Sequence, residues 1–204
     1  MKYTFNVSLV VCAVFFNVVG YAFADQPKPW QMGFQPAATP VMEQIHSFHE
    51  LLLYILVSIT IFVLALLVYV SVRFNEKANP IPSKTTHNTL LEVAWTVVPI
   101  VVLVVISVTS LKLLYFMDKT HNPEMTLKVI GHQWYWEYEY PDHGDFYFES
   151  YMIQDEDLQE GDLRLLTVDN PLVIPANKNV QILITAGDVL HSWAVPSMGI
   201  KTDA

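Results

Sequence analysis

Met125-Thr126-Leu127-Lys128-Val129-Ile130-Gly131-His132-Gln133-Trp134-Tyr135-Trp136-Glu137-Tyr138-Glu139-Tyr140 divides between two alternating faces. Ile130, His132, Trp134, Trp136 and Tyr138 share one face. Val129, Gln133, Tyr135, Glu137 and Glu139 share the other. A period of two, dense in aromatic residues, predicts extended strand. Further strands are expected over Phe146–Ile153, Leu163–Val168, Leu172–Ile174 and Val180–Thr185. Pro141, Gly144, Gly161, Asn170-Pro171, Pro175 and Gly187 punctuate them, and the acid-rich run from Gln154 to Asp162 reads as a solvated loop. Short strands at this spacing predict an all-β sandwich or barrel.

The region before these strands has a different composition. Half of the 204 residues are apolar (52%), and the mean hydropathy is +0.33. Fifteen of the 20 acidic residues lie in 118–204. The first 117 residues are therefore apolar and near neutral, and the remainder is an acidic, water-facing region. Such a balance excludes nucleic acid as a partner and favours a basic protein.

Three apolar segments precede the acidic region. In Met1 to Ala24, Lys2 supplies a short positive start, an apolar run covers Phe5 to Val19, and Ala22-Phe23-Ala24 is a cleavage signal. Residues 1–24 are expected to be a secretory signal peptide. Residues 25–48 then form a short exposed segment. Leu51 to Val72 carries no charge and is long enough to cross about 30 Å of hydrocarbon, which predicts a first membrane helix over 49–73. A second is expected over 90–117, kinked at Pro99. The loop at 74–89 with its edges carries Arg73, Lys77 and Lys84 against Glu76 alone. Positive charge marks the cytoplasmic side, which places the acidic domain at 118–204 in the periplasm.

The chemistry concentrates near Asp188-Val189-Leu190-His191-Ser192-Trp193-Ala194-Val195-Pro196-Ser197-Met198. His191 follows an apolar strand and a Gly187-Asp188 turn. An imidazole in an apolar loop suits copper, and copper electron-transfer sites combine imidazole with thiolate. A lone histidine is more often a hydrogen-bonded structural residue. Cys12 is the only cysteine, so no disulfide framework is available.

Glu92-Val93-Ala94-Trp95-Thr96-Val97-Val98-Pro99, Gly131 through Tyr140, Asp169-Asn170 and Asp188 through Ala204 together resemble subunit II of the haem–copper cytochrome c oxidases. Pro29 through Pro36 resembles the mature start of its α-proteobacterial branch. The resemblance implies a cupredoxin-like sandwich on a two-helix hairpin, in the bacterial inner membrane. It implies a dinuclear copper (CuA) centre that takes electrons from cytochrome c and passes them to subunit I, alongside other oxidase subunits, for proton-coupled reduction of oxygen to water. His191 matches a copper ligand. Trp134 matches the tryptophan where electrons arrive, with Trp136 in the same aromatic patch. Glu139, Asp142, Asp145, Asp169 and Asp188 match acids that dock cytochrome c. Glu92 matches a glutamate at the mouth of a proton path.

The family's second ligand loop, with two cysteines, a histidine and a methionine, does not occur in the 204 residues. The expectation is a partial sequence whose sandwich and copper centre are incomplete and which is inactive alone. A quinol oxidase subunit II would have the same anchor but lack His191 and the Trp134-Tyr135-Trp136 patch. A purely structural subunit would show substituted ligands.

Overall fold

In the computed structural model, residues 26–118 and 122–204 are described. The expected signal peptide at 1–24 lies outside them.

Two long helices come first. α1 spans Pro40–Arg73 and α2 spans Thr89–Met117. At 1.5 Å per residue they measure about 50 and about 43 Å. Both are long and apolar enough to cross a membrane. Their apolar residues are exposed on every side, from Leu53 to Val72 and from Leu90 to Met117. Three hydroxyls within them are satisfied internally: those of Thr60, Thr96 and Thr109 donate to the carbonyls of Leu56, Glu92 and Val105. This is the arrangement a hydrocarbon solvent requires.

α1 starts nine residues before the expected position. Thr39 caps it, with Pro40 at the first helical position, a pairing that favours helix initiation. Thr39 Oγ1 accepts from the Met42 N–H at 3.2 Å and donates to the Met198 carbonyl at 2.7 Å. Ala38 N–H donates to Ser197 O at 2.8 Å. Met42 is buried against Gly199, which turns with φ +74°; a Cβ there would stand 3.3 Å from the Met42 backbone nitrogen and 2.8 Å from Ile45 Cδ1.

The β domain contains β1 (Met125–His132), β2 (Tyr135–Tyr140), β3 (Phe146–Ser150), β4 (Val180–Ala186), β5 (Ser192–Val195) and β6 (Ile200–Asp203). One sheet has the order β3-β2-β1-β4, and β5 and β6 form a second. β1 runs antiparallel to β2 and parallel to β4. The fold class is the expected one, an apolar helix pair followed by an all-β domain.

The stretch 125–140 is two strands, not one. It folds back at Gln133-Trp134, pairing His132 with Tyr135, Val129 with Tyr138 and Gly131 with Trp136. A two-residue turn makes odd positions of β1 share a face with even positions of β2. Leu127 and Val129 are fully buried on that face, with Met125, Tyr138, Tyr140 and, from the second sheet, Trp193. Trp193 Nε1–H donates to Tyr138 OH at 3.4 Å. The expected faces hold for β2 and invert for β1.

Two expected strands are absent. Over Leu163–Val168 only Val168 pairs, in an isolated bridge to Met152. Leu163 to Thr167 closes on itself, with Thr167 N–H donating to Leu163 O and Leu163 N–H to Thr167 Oγ1. Side-chain bonds of this kind compete with a ladder. Leu172 and Ile174 pack against the core, but Pro171 and Pro175 lack the N–H a ladder needs. Instead, Tyr140 OH donates to Val173 O at 2.9 Å.

Candidate functional site

Because β4 runs parallel to β1, the chain leaves Ala186 beside the β1–β2 turn, and Ala186 pairs with Gly131. Gly187 N–H donates to Gly131 O at 2.9 Å. Asp188 follows and gathers the site. Its Oδ2 accepts the Gln133 N–H at 2.7 Å, and its Oδ1 accepts the Val189 N–H at 2.6 Å. Oδ1 also lies 2.7 Å from His191 Nε2. The His191 ring, then the Val189 amide, hold the Asp188 carboxyl down at about 2.

His191 sits where the second sheet begins. Its N–H donates to Ala204 O and its carbonyl accepts the Ala204 N–H. Its side chain is 16% exposed. The edge of the ring meets Trp136 at 5.8 Å and 64°. Gly131 closes one side: a Cβ there would stand 2.8 Å from His191 Cγ.

A carboxylate on Nε2 assigns the proton to that nitrogen and leaves Nδ1 as a lone-pair donor. Metal-binding histidines are commonly held this way. His191 therefore fits one ligand of a copper centre. Among the described residues, no group of three His, Cys, Asp or Glu side chains assembles around a metal position, so the fit extends to this single donor.

On the other face of the β1–β2 turn, His132, Tyr135 and Tyr151 stack in series. The ring centroids are 4.7 Å apart in each step. Tyr151 OH donates to Glu149 Oε2 at 2.8 Å. That carboxylate, then desolvation, pushes the Tyr151 phenol up to about 12. His132 Nε2 approaches Glu137 Oε2 to 3.3 Å, but the alignment makes no hydrogen bond and the atom is buried without one. Tyr135 was expected only as part of the Trp134-Tyr135-Trp136 patch, and His132 was given no role. The only sequence signal was a histidine among aromatics.

Trp134 stands at the tip of the turn, 87% exposed, one residue from the Asp188-bonded Gln133. Trp134, Trp136, Asp188 and His191 are thus brought together. Asp169 accepts the Tyr151 N–H at 2.7 Å, near the ring stack. Glu139 is paired with Lys128 at 3.0 Å. Asp142 accepts the Thr126 N–H at 2.6 Å, and Asp145 is exposed beyond it. These last two lie past the far end of β2, roughly 20 Å from Trp134 at strand rise. Glu92 is remote from all of them, in the first turn of α2, where its Oε1 accepts the Asn88 N–H at 3.3 Å.

The geometry defines a class: a membrane-anchored β-domain protein with an oriented histidine beside an exposed aromatic tip. The family follows from comparison with known proteins. Residues 27–113 match the model of the cytochrome c oxidase subunit II transmembrane domain, and 125–204 match that of its periplasmic domain. The chain belongs to the cytochrome c oxidase subunit II family. It is 51% identical to the probable cytochrome c oxidase subunit 2 of Rickettsia bellii, over all of this chain and 75% of that protein. Identity to the Rickettsia conorii counterpart is also 51%, over 64% of its length. The Zea mays subunit 2 is 48% identical over 90% of this chain and 73% of its own. The chain thus spans about two thirds to three quarters of these relatives. The solved periplasmic domain of cytochrome oxidase subunit II from Bradyrhizobium japonicum is 44% identical, with a TM-score of 0.38, over 42% of this chain and 59% of that one.

Proposed function

We propose that this chain is the electron-accepting subunit of a cytochrome c oxidase, anchored in a bacterial inner membrane with its β domain in the periplasm. The observation that carries this reading is the continuous link from exposed Trp134, through the Gln133 N–H and the Asp188 carboxylate, to His191. An exposed indole offers a basic haem protein a flat apolar contact, and the surrounding carboxylates steer its approach. Trp136 and Gly131 hold the His191 ring, and Asp188 fixes its proton on Nε2. When bound, a dinuclear CuA centre would supply one-electron storage, with His191 Nδ1 as one of its ligands. The 204 residues contain one cysteine, Cys12, so two thiolates are not among them.

The anchor supports the same orientation. Arg73 at the end of α1 and Lys77 and Lys84 in the loop after it mark the cytoplasmic side, leaving the β domain opposite. The apolar helix surfaces would then pack against lipid and against subunit I and its neighbours. Glu92, at the cytoplasmic end of α2, would meet protons bound for subunit I. Electrons passed there would reduce oxygen to water, coupled to proton translocation.

The test is an assembled, copper-loaded oxidase carrying these residues. Rapid mixing with reduced cytochrome c should show fast electron uptake in the parent and slow uptake with Trp134→Ala, the copper spectrum being unchanged. Equal uptake by both would sink the role of Trp134.

A further inference from the structure

Two glycine–histidine contacts interlock the β1–β2 turn with the loop after β4. The turn supplies Gly131, and the His191 ring of the loop lies against it. The loop supplies Gly187, and the His132 ring of the turn lies against it. A Cβ on Gly187 would stand 2.5 Å from His132 Cε1 and 2.8 Å from Nδ1; a Cβ on Gly131 would stand 2.8 Å from His191 Cγ. Neither glycine has a positive φ. Backbone conformation therefore does not demand glycine at either place, and the requirement is for room. The contacts are on opposite faces, since His132 and Gly131 are neighbours in one strand.

His132 has no hydrogen bond at Nε2 to position it. Its place is set by the parallel stack on Tyr135, 9° from coplanar, by the Glu137 carboxylate 3.3 Å from Nε2, and by the bare backbone at Gly187. Two bonds close the same seam: Gly187 N–H to Gly131 O and Gln133 N–H to Asp188 Oδ2. We infer that His132 is a positioning residue which, seated on Gly187, keys the Trp134 turn to the His191 loop and so fixes the geometry between the exposed indole and the imidazole. Its functional side rests on the electron-accepting reading above.

The full 204-residue chain in lipid nanodiscs gives the first arm of the test. Gly187→Ala should push His132 off its seat. Amide exchange at Gln133 and at position 187 should quicken by about tenfold, the scale of coupling between contacting residues. The ladder around Val129 should keep its protection. With Gly187→Ala and His132→Ala together, exchange at Gln133 should be no faster than in either single variant, because both remove the same contact. If Gly187→Ala fails to fold, His132→Ala alone should still loosen Gln133 selectively. Unchanged exchange at Gln133, loss of protection across the whole sheet, or additive loosening in the double variant would overturn the keying.

The second arm uses the assembled oxidase. Electron uptake from cytochrome c should fall several-fold in Gly187→Ala and in His132→Ala, with the copper spectrum intact, and no further in the double variant. Unchanged uptake beside selectively loosened Gln133 would overturn the positioning role. An oxidase whose parent form takes no electrons from cytochrome c would instead refute the functional reading and leave the keying to the exchange result.

Discussion

Asp188 Oδ1 lies 2.7 Å from His191 Nε2, while Oδ2 of the same carboxylate holds the Gln133 amide. One side chain thereby joins the imidazole to the turn that displays Trp134. Substituting Asp188→Ala should release the ring. Nitrogen NMR of the imidazole in the metal-free chain should then report a mixture of tautomers where the parent shows Nε2–H alone. An identical pattern in both would mean that the carboxylate does not set the proton.

Trp134 and Trp136 should separate cleanly. Trp134 is almost fully solvated, so Trp134→Ala should change stability by less than about 0.5 kcal/mol. Trp136 is half-buried and touches both the core and His191. Trp136→Ala should cost about 3 kcal/mol, the lower end for buried tryptophan, and should disturb the His191 resonances. Thermal melts of the two variants check the contrast, and equal losses would contradict it.

Leu127 has no solvent exposure, whereas Phe146 is 57% exposed. Leu127→Ala should cost about 2–5 kcal/mol, and Phe146→Ala less than that. A domain of this size holds a margin near 0.05–0.15 kcal/mol per residue. Leu127→Ala should therefore lower the β-domain melting temperature sharply, and a melt no lower than that of Phe146→Ala would place the core elsewhere.

Tyr151 should titrate late. Its phenol is raised from 10 to about 12 by the bond to Glu149. Because the folded value lies above the unfolded one, the bond's stabilisation is complete below pH 10 and is lost between about 10 and about 12. Near-ultraviolet titration should show a late phenol that moves down in Glu149→Gln. No shift in that variant would remove Glu149 as the cause.

Asp145 tests docking charge without structural side effects. Among the described residues its carboxylate has no ion-pair partner, and its φ of +52° is one that asparagine also tolerates. Asp145→Asn should slow cytochrome c association modestly at low salt and not at high salt, where a Debye length of about 3 Å at 1 M screens it. A loss independent of ionic strength would deny it a steering role.

The helix pair and the all-β domain were legible because membrane helices announce themselves by length and strands by period. The β1–β2 turn was not. Gln133-Trp134 carries none of the Asn-Gly chemistry that marks a tight turn, and alternation continues through it, so 125–140 reads as one strand. Glu139, Asp142, Asp169 and Asp188 read as surface charge. Yet Asp142, Asp169 and Asp188 each accept a backbone amide and Glu139 an ammonium, partners that only folding supplies. The Gly187–His132 contact was invisible for the same reason: its members are 55 positions apart.

Met42 and Gly199 have a consequence for where the protein divides. The first turn of α1 is fastened by Thr39, Ala38 and Met42 to the β5–β6 hairpin, whose base holds His191. The seam between the soluble and membrane parts runs inside a helix and not along the linker before β1. A tilt of α1 in the bilayer is thus levered directly onto the hairpin, and a soluble domain excised at Met125 would lose part of its own wall. Only a chain that begins upstream of Thr39 keeps the lever and its socket in one piece.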